Sequence, residues 1–117
     1  MIIKSYCKIN LFLKVLRKNN RGLHNIQSTT MLLELHDKIS IKKIKKKKDV
    51  IVFTGPFKKN IKSNANTITK VLSVLRNHNL ISDNPRYKII VNKRIPVFAG
   101  LGGGTGNAIS VIKYFLK

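Results

Sequence analysis

The first half of the chain alternates apolar and polar positions with the two-residue period that is typical of β-strands. The alternation is longest from Ile2 to Arg17, and it is followed by a turn around Gly22 in "KNNRGLH". Three further runs have strand character: Ile26–Leu35, Lys38–Ile44 and Val50–Phe53. The last two flank a lysine-rich stretch, which predicts a hairpin with a solvated tip.

The second half contains two helical patterns separated by one more strand. From about residue 66 the apolar positions recur at i, i+3, i+4 and i+7, which predicts a helix that ends near Asn79. Asn66 or Thr67 provides the N-cap. A strand is predicted from Tyr87 to about Ile95, and a second apolar helical stripe follows a glycine-rich segment. That stripe comprises Ala108, Ile109, Ile112, Phe115 and Leu116.

This order of elements predicts one α+β domain with a mostly antiparallel sheet and two helices. The chain has 117 residues, which is the size of a single domain. Its one cysteine, Cys7, excludes a disulfide framework. Charged residues interrupt the apolar N-terminus, so neither a signal peptide nor a membrane span is predicted, and we expect a cytoplasmic protein.

The charge of the chain is strongly positive. Lysine and arginine total 24 against four acidic residues, giving a net charge of +20. Such a charge attracts polyanions, including nucleic acids, nucleotides and acidic membrane surfaces. Abundant lysine, isoleucine and asparagine are equally typical of AT-rich coding, which produces this charge without a partner. The aromatic residues do not interleave with basic ones on one stacking face, so nucleic acid is not the expected partner.

The segment between the last predicted strand and helix holds five glycines in seven positions, Gly100 to Gly106. Glycines let the backbone approach a ligand closely, and the N-terminus of the following helix favours anions. No lysine lies between Arg94 and Lys113, which excludes a P-loop, and Thr105 stands where a dinucleotide fingerprint needs its third glycine. A close-packed turn would need only one or two glycines. The segment therefore predicts a phosphate-binding site.

The stretch "KRIPVFAGLGGGTGNA" resembles the phosphate-binding signature of the GHMP kinase superfamily, Pro-x-x-x-Gly-Leu-Gly-Gly/Ser-Gly/Ser-Ser. Three further stretches occur in the order in which members of the superfamily carry their equivalents: "CKINLFLKVL", "LELHDKISI" and "NANTITKV". The resemblance covers the chain from about Ser5 onward. It implies the N-terminal fold of GHMP kinases, which is similar to domain 2 of ribosomal protein S5, over residues 1–117.

The resemblance also implies a reaction and residue roles. It is greatest for members that transfer the γ-phosphate of ATP, with Mg²⁺, to a cytidine diphosphate sugar alcohol in non-mevalonate isoprenoid synthesis. Lys8 matches their catalytic lysine, while Asn10 and His24 match residues that contact the substrate. No side-chain metal cluster is implied, and Thr105 supplies a hydroxyl for phosphate or Mg²⁺. The ATP-binding segment comprises Pro96, Val97, Phe98, Ala99, Gly100, Leu101, Gly102, Gly103, Gly104, Thr105 and Gly106.

The chain departs from the superfamily pattern at several positions. Leu23 replaces an aromatic residue that would stack on cytosine, Gly106 replaces a second hydroxyl, and Arg21 replaces an aspartate. The superfamily's catalytic aspartate lies beyond the glycine segment, whereas all four acids here precede it. The resemblance therefore implies an incomplete N-terminal domain, inactive as a kinase when it is alone.

Three hypotheses follow from the sequence. The first is the N-terminal part of such a kinase, completed by a possible C-terminal polypeptide. The second is a non-catalytic protein that retains the nucleotide-binding segment. The third, and the one least supported by the sequence, is a basic nucleic-acid-binding protein.

Overall fold

The computed structural model describes residues 2–59, 61–62, 66–96 and 103–117. Within the strands, residues 9–13, 28–30 and 32 are described by their backbone alone. The elements, in chain order, are β1 (Ile2–Lys18), β2 (His24–Ile44), β3 (Val50–Thr54), α1 (Thr67–Asn77), β4 (Arg86–Asn92) and α2 (Gly103–Phe115). The predicted helices and strands are therefore present, with shifted bounds. Within the described residues, no helix is long and apolar enough to cross a membrane.

The four strands form one sheet in the order β1-β2-β4-β3. β1 pairs antiparallel with β2, β2 pairs antiparallel with β4, and β4 pairs parallel with β3. The sheet is thus mostly antiparallel, which confirms the predicted α+β class. Both helices contribute to one core with the sheet, through Ile68 and Leu72 of α1 and Val111 of α2.

The prediction that Lys38–Ile44 and Val50–Phe53 form a hairpin is wrong. β4 lies between β2 and β3, so the two strands beside the lysine-rich stretch are not neighbours in the sheet. The reason is burial, because Ile89 and Val91 of β4 are fully inaccessible to solvent and their strand takes an interior position. A turn signal between two strand-like runs carries no information about a third strand inserted between them.

Two runs that were predicted as separate strands form the single strand β2. The polar pair His36 and Asp37 resembles a break in the sequence, but the strand continues through it. Asp37 is completely buried and shares the strand face of Ile39 and Ile41, because side chains alternate between the two faces. Hydrogen bonds and an ion pair satisfy its carboxylate, so the strand does not have to end there.

The helix α1 begins as the sequence predicts. Asn66 is the N-cap, with an extended backbone, and its side-chain oxygen accepts a hydrogen bond from the Thr69 N–H at 2.9 Å. Ile68, Leu72 and Leu75 are the buried residues of the helix. Their spacing is that of the apolar stripe in the sequence, so periodicity alone determined this helix face.

The helix α2 begins earlier than predicted, and its most buried residues are not those of the predicted stripe, although Phe115 of that stripe packs partly buried against the core. Gly103 is its first residue, so part of the glycine segment is helical. The buried residues are Asn107 and Val111, whereas Ile109 and Leu116 of the predicted stripe are about half exposed. Gly103, Asn107 and Val111 follow one another at intervals of four residues. The close packing of the glycine turn therefore sets the rotation of this helix.

Candidate functional site

The first turn of α2 lies close to two other parts of the chain because glycines form it. A Cβ placed on Gly103 would lie 3.2 Å from Cγ2 of Ile95, and one on Gly106 would lie 3.3 Å from Oγ of Ser5. A Cβ placed on Gly104 would meet nothing within 4 Å. The turn is thus packed on one side and open on another. The first backbone N–H groups of a helix have no intrahelical partner and are suited to binding an anion.

A buried ion pair lies beneath this turn. Nζ of Lys93 donates to Oδ2 of Asp37 at 2.5 Å, and both residues are almost inaccessible to solvent. Oδ1 of Asp37 accepts hydrogen bonds from the backbone N–H groups of Arg94 at 2.6 Å and Ile95 at 2.8 Å. This carboxylate on β2 therefore holds the three residues that follow β4.

Lys8 lies on β1, three residues after Ser5, and its side chain is exposed. Ser5 contacts the first turn of α2 at Gly106, so Lys8 lies on the strand segment next to the glycine turn. Asn10, two residues further along β1, pairs with Thr30 in the strand register, and its side chain lies outside the described residues. The backbone thus brings β1 beside the start of α2.

His24 lies at the far end of the β1–β2 ribbon from the glycine turn. It is exposed and pairs with Lys18, which comes ten residues after Lys8 in β1. At a rise of about 3.3 Å per residue, up to roughly 30 Å of strand separates the two predicted site residues. A ligand that reaches both must be elongated. Leu23, which precedes the histidine, is 64% exposed.

The predicted ATP-binding segment is described only at its two ends. Pro96 is half-buried directly after the ion pair, and Thr105 is exposed in the first turn of α2. Residues 97–102, comprising Val97, Phe98, Ala99, Gly100, Leu101 and Gly102, lie outside the described residues.

Sequence reasoning missed the buried polar residues around the turn. Asp37 and Lys93 were not singled out, although Asp37 stands on the apolar parity of its strand, a signal that it would be buried. Ser5 and Asn107, each 2% exposed, also lie at this turn. No sequence signal identifies these two, because their burial depends on the packing of α2 against β1. Oγ of Ser5 and Oδ1 of Asn107 have no hydrogen-bond partner among the described residues.

A second polar cluster occupies the opposite end of β4. Asp49 accepts hydrogen bonds from Nη2 of Arg76 at 2.7 Å and from the Tyr87 N–H at 2.8 Å, and Arg76 also donates to the Ser82 carbonyl oxygen. This cluster lines an open depression of about 600 Å³ that includes Arg86 but none of the predicted site residues. Within residues 2–59, 61–62, 66–96 and 103–117, no group of three or more metal-ligating side chains is present.

Comparison with known proteins identifies relatives of the whole chain. Residues 66–117 match the family described as "GHMP kinases N terminal domain". The 4-diphosphocytidyl-2-C-methyl-D-erythritol kinase of Pelagibacter ubique strain HTCC1062 is 46% identical over 115 residues, which are 98% of this chain and 40% of that protein. The kinase of the same name from Thermosipho melanesiensis is 34% identical over 97% of this chain and 38% of its own length.

The fold has a counterpart among solved structures. A crystal structure of 4-(cytidine 5'-diphospho)-2C-methyl-D-erythritol kinase superposes with a TM-score of 0.70 and 24% identity, covering 97% of this chain and 39% of that one. The chain thus spans about 40% of the length of the relatives it matches. Over nearly all of its residues the chain is similar to part of the 4-diphosphocytidyl-2-C-methyl-D-erythritol kinases, and residues 66–117 match the family model of the N-terminal domain of GHMP kinases.

Proposed function

We propose that this chain is the ATP-binding N-terminal part of a 4-diphosphocytidyl-2-C-methyl-D-erythritol kinase. The proposed reaction is ATP-dependent phosphorylation of a hydroxyl group of that cytidine diphosphate sugar alcohol, in the cytoplasm. The observation that carries the proposal is the glycine-built first turn of α2, packed on Ile95 and Ser5 and open at Gly104. The relatives' names supply the substrate, and the turn supplies a physical reason for nucleotide binding.

In this proposal the open side of the turn holds the phosphate groups of ATP. The N–H groups of Gly103, Gly104 and Thr105, for which the helix itself offers no acceptor, would donate to phosphate oxygens, helped by the positive end of the helix dipole. A side chain at Gly103 would push the turn away from Ile95. The exposed hydroxyl of Thr105 is the side-chain oxygen in this turn that would contact a phosphate or Mg²⁺. When bound, Mg²⁺ would neutralise charge on the phosphates.

Lys8 and Asn10 would act on the acceptor hydroxyl. In this role the Lys8 ammonium would stabilise the negative charge that develops during phosphoryl transfer and would help to orient the attacking oxygen. His24 would bind the cytosine, which is the role that the sequence resemblance implies for it. Leu23 offers no aromatic ring for stacking, and such stacking contributes about 1–3 kcal/mol per base in nucleic-acid binders. We therefore expect weaker binding of the cytidine half than in relatives with an aromatic residue there.

Nucleotide binding is the first test. Isothermal titration calorimetry of the 117-residue chain should detect binding of MgATP at millimolar concentration or below. Replacing Gly103 with valine should weaken it by about tenfold or more, because overpacking displaces the turn at a cost of about 1–3 kcal/mol. The matched control is Ile109→Ala, at an exposed position of the same helix.

Two results would contradict this assignment of the turn. One is the absence of MgATP binding by the unaltered chain at millimolar concentration. The other is equal affinity of the Gly103→Val variant and the unaltered chain. MgATP binding without any affinity for the cytidine substrate would instead favour the non-catalytic nucleotide-binding protein.

Phosphoryl transfer by the chain alone is the second test, and we expect no detectable product. A carboxylate generally accepts the proton of an attacking hydroxyl. Here Asp37 and Asp49 are already paired with Lys93 and Arg76. Labelled ATP and the cytidine substrate, with separation of the products, would detect any turnover. A measurable rate would contradict the prediction, and its loss in Glu34→Gln would assign the proton acceptor to the exposed acid nearest Lys8 in strand register.

A further inference from the structure

The buried carboxylate of Asp37 accepts hydrogen bonds from two backbone N–H groups as well as from the ammonium of Lys93. One carboxylate oxygen accepts from the ammonium at 2.5 Å, and the other accepts from the N–H groups of Arg94 and Ile95. Asp37 is 0% exposed and Lys93 is 3% exposed. A buried ion pair is often no more stable than apolar residues of similar volume. Stability alone therefore does not account for this arrangement.

The pair lies where the predicted ATP-binding segment is attached to the fold. On one side, Asp37 fixes Arg94 and Ile95, which immediately precede Pro96. On the other side, a Cβ on Gly103 would lie 3.4 Å from Nζ of Lys93 and 3.2 Å from Cγ2 of Ile95. The side chains of Asp37, Lys93 and Ile95 thus fix the position of the residues that follow β4 and of the first residue of α2.

We propose that Asp37 and Lys93 are positioning residues for nucleotide binding. They hold the end of β4 and the first turn of α2 at the spacing that the phosphates of ATP require, without contacting the nucleotide through the Asp37 carboxylate. This inference rests on the proposed function. Fixing a binding turn before the ligand arrives raises affinity, because less conformational freedom is lost on binding.

The opposite end of β4 provides a matched control. Asp49 is also a carboxylate that accepts from a cation, Arg76, and from a backbone N–H, that of Tyr87 in β4. The two carboxylates therefore make similar contacts, but only Asp37 lies beside the glycine turn. A purely structural role predicts that loss of either charge lowers stability, by more at the fully buried Asp37 than at Asp49, while the folded variants keep their MgATP affinity.

The experiment compares Asp37→Asn with Asp49→Asn. The asparagine keeps an oxygen that accepts from the backbone and removes the charge that pairs with the cation. MgATP affinity is measured by calorimetry at a temperature where circular dichroism shows that each variant is folded. We expect Asp37→Asn to weaken MgATP binding by about tenfold or more and Asp49→Asn to change it by less than about twofold.

A double variant separates positioning from stability. In Asp37→Asn with Lys93→Met, no unpaired ammonium remains buried, so the urea midpoint should return toward that of the unaltered chain. The MgATP affinity should stay low, because the ion pair that fixes the turn is still missing. Recovery of both quantities together would overturn the positioning role and leave a structural one.

Amide hydrogen exchange tests the same inference without ATP. The N–H groups of residues 107–110 donate to the carbonyl groups of the first turn of α2, residues 103–106. These N–H groups should exchange faster in Asp37→Asn than in the unaltered chain, and their exchange rate should be unchanged in Asp49→Asn. If the unaltered chain fails to bind MgATP, the proposed function fails, while this exchange difference still decides whether the pair positions the turn. Equal exchange in Asp37→Asn and the unaltered chain, or equal acceleration by both variants, would overturn the inference.

Discussion

Replacing Gly55 with alanine is expected to lower the free energy of unfolding by about 3–5 kcal/mol. Gly55 ends β3 with φ at +90°, in the left-handed region that side chains disfavour. A Cβ there would also lie 2.7 Å from the Lys93 carbonyl oxygen and 2.9 Å from its nitrogen, and it would collide with Oδ1 of Asn92. These are mostly backbone atoms, so the collision cannot be relieved by a change of rotamer.

The matched control for this substitution is Gly22→Ala. Gly22 also has a positive φ, +77°, but a Cβ on it would meet nothing within 4 Å. Its replacement should therefore cost only the left-handed backbone conformation, about 1–2 kcal/mol. Urea unfolding followed by circular dichroism measures both values. A loss at Gly55 no larger than that at Gly22 would contradict the close approach of β3 to the end of β4.

Functional consequences follow from the position of Gly55. The backbone N–H of Lys93 donates to the Thr54 carbonyl oxygen at 2.8 Å, so the turn at Gly55 is attached to the residue that pairs with Asp37. A Gly55 variant that remains folded would displace Lys93 and thereby the floor of the proposed ATP site. Its defect in stability and any defect in nucleotide binding have the same structural origin.

Replacing Ile39 with alanine is expected to lower the free energy of unfolding by about 2–5 kcal/mol. Ile39 is completely buried at the centre of the sheet, where it pairs with Ile3 of β1 and Val91 of β4. Truncation leaves a cavity in the core on one face of the sheet, where Ile39 belongs to the same buried cluster as residues of both helices. Single domains have a total stability of about 5–15 kcal/mol, so the variant could lose a large fraction of it.

Ile26→Ala is the control for Ile39, since both residues are in β2. Ile26 is 62% exposed on the two-stranded part of the ribbon, opposite Val15, which is 61% exposed. Its truncation should change stability by less than about 0.5 kcal/mol. The denaturant midpoints of the two variants, compared with that of the unaltered chain, measure the two losses of stability. Equal losses would mean that the ribbon, and not only the centre of the sheet, contributes to the core.

Three parts of the proposed kinase site belong to this chain. They are the first turn of α2, the segment of β1 that carries Lys8, and the Asp37–Lys93 pair. The ribbon that carries His24 instead exposes several large apolar side chains, including Leu23, Ile26 and Met31. The matched region spans about 40% of the relatives, so about 60% of their length lies outside it. In the proposed function, this chain would supply the nucleotide-binding turn and one side of the substrate site.

Local pattern was sufficient for β1 and α1, in which apolar positions recur with one period along the sequence. The alternation in β1 and the i, i+3, i+4 spacing in α1 predicted both elements to within a few residues. The Asn66 cap was predictable as well, because an N-cap interacts with residues only three positions away. The motifs around Lys8 and the glycines were enough to indicate the superfamily, since they depend on residue identity and order alone.

Tertiary structure alone decided the strand order, the pairing of Asp37 with Lys93 and the face of α2. The insertion of β4 between β2 and β3 depends on burying Ile89 and Val91, a contact between distant parts of the chain. The rotation of α2 depends on how closely Gly103 and Gly106 approach Ile95 and Ser5. Sequence thus determined the elements and the glycine-rich signature, because these are local. The packing of Gly103 and Gly106 against the sheet was set by long-range contacts, which no local pattern encodes.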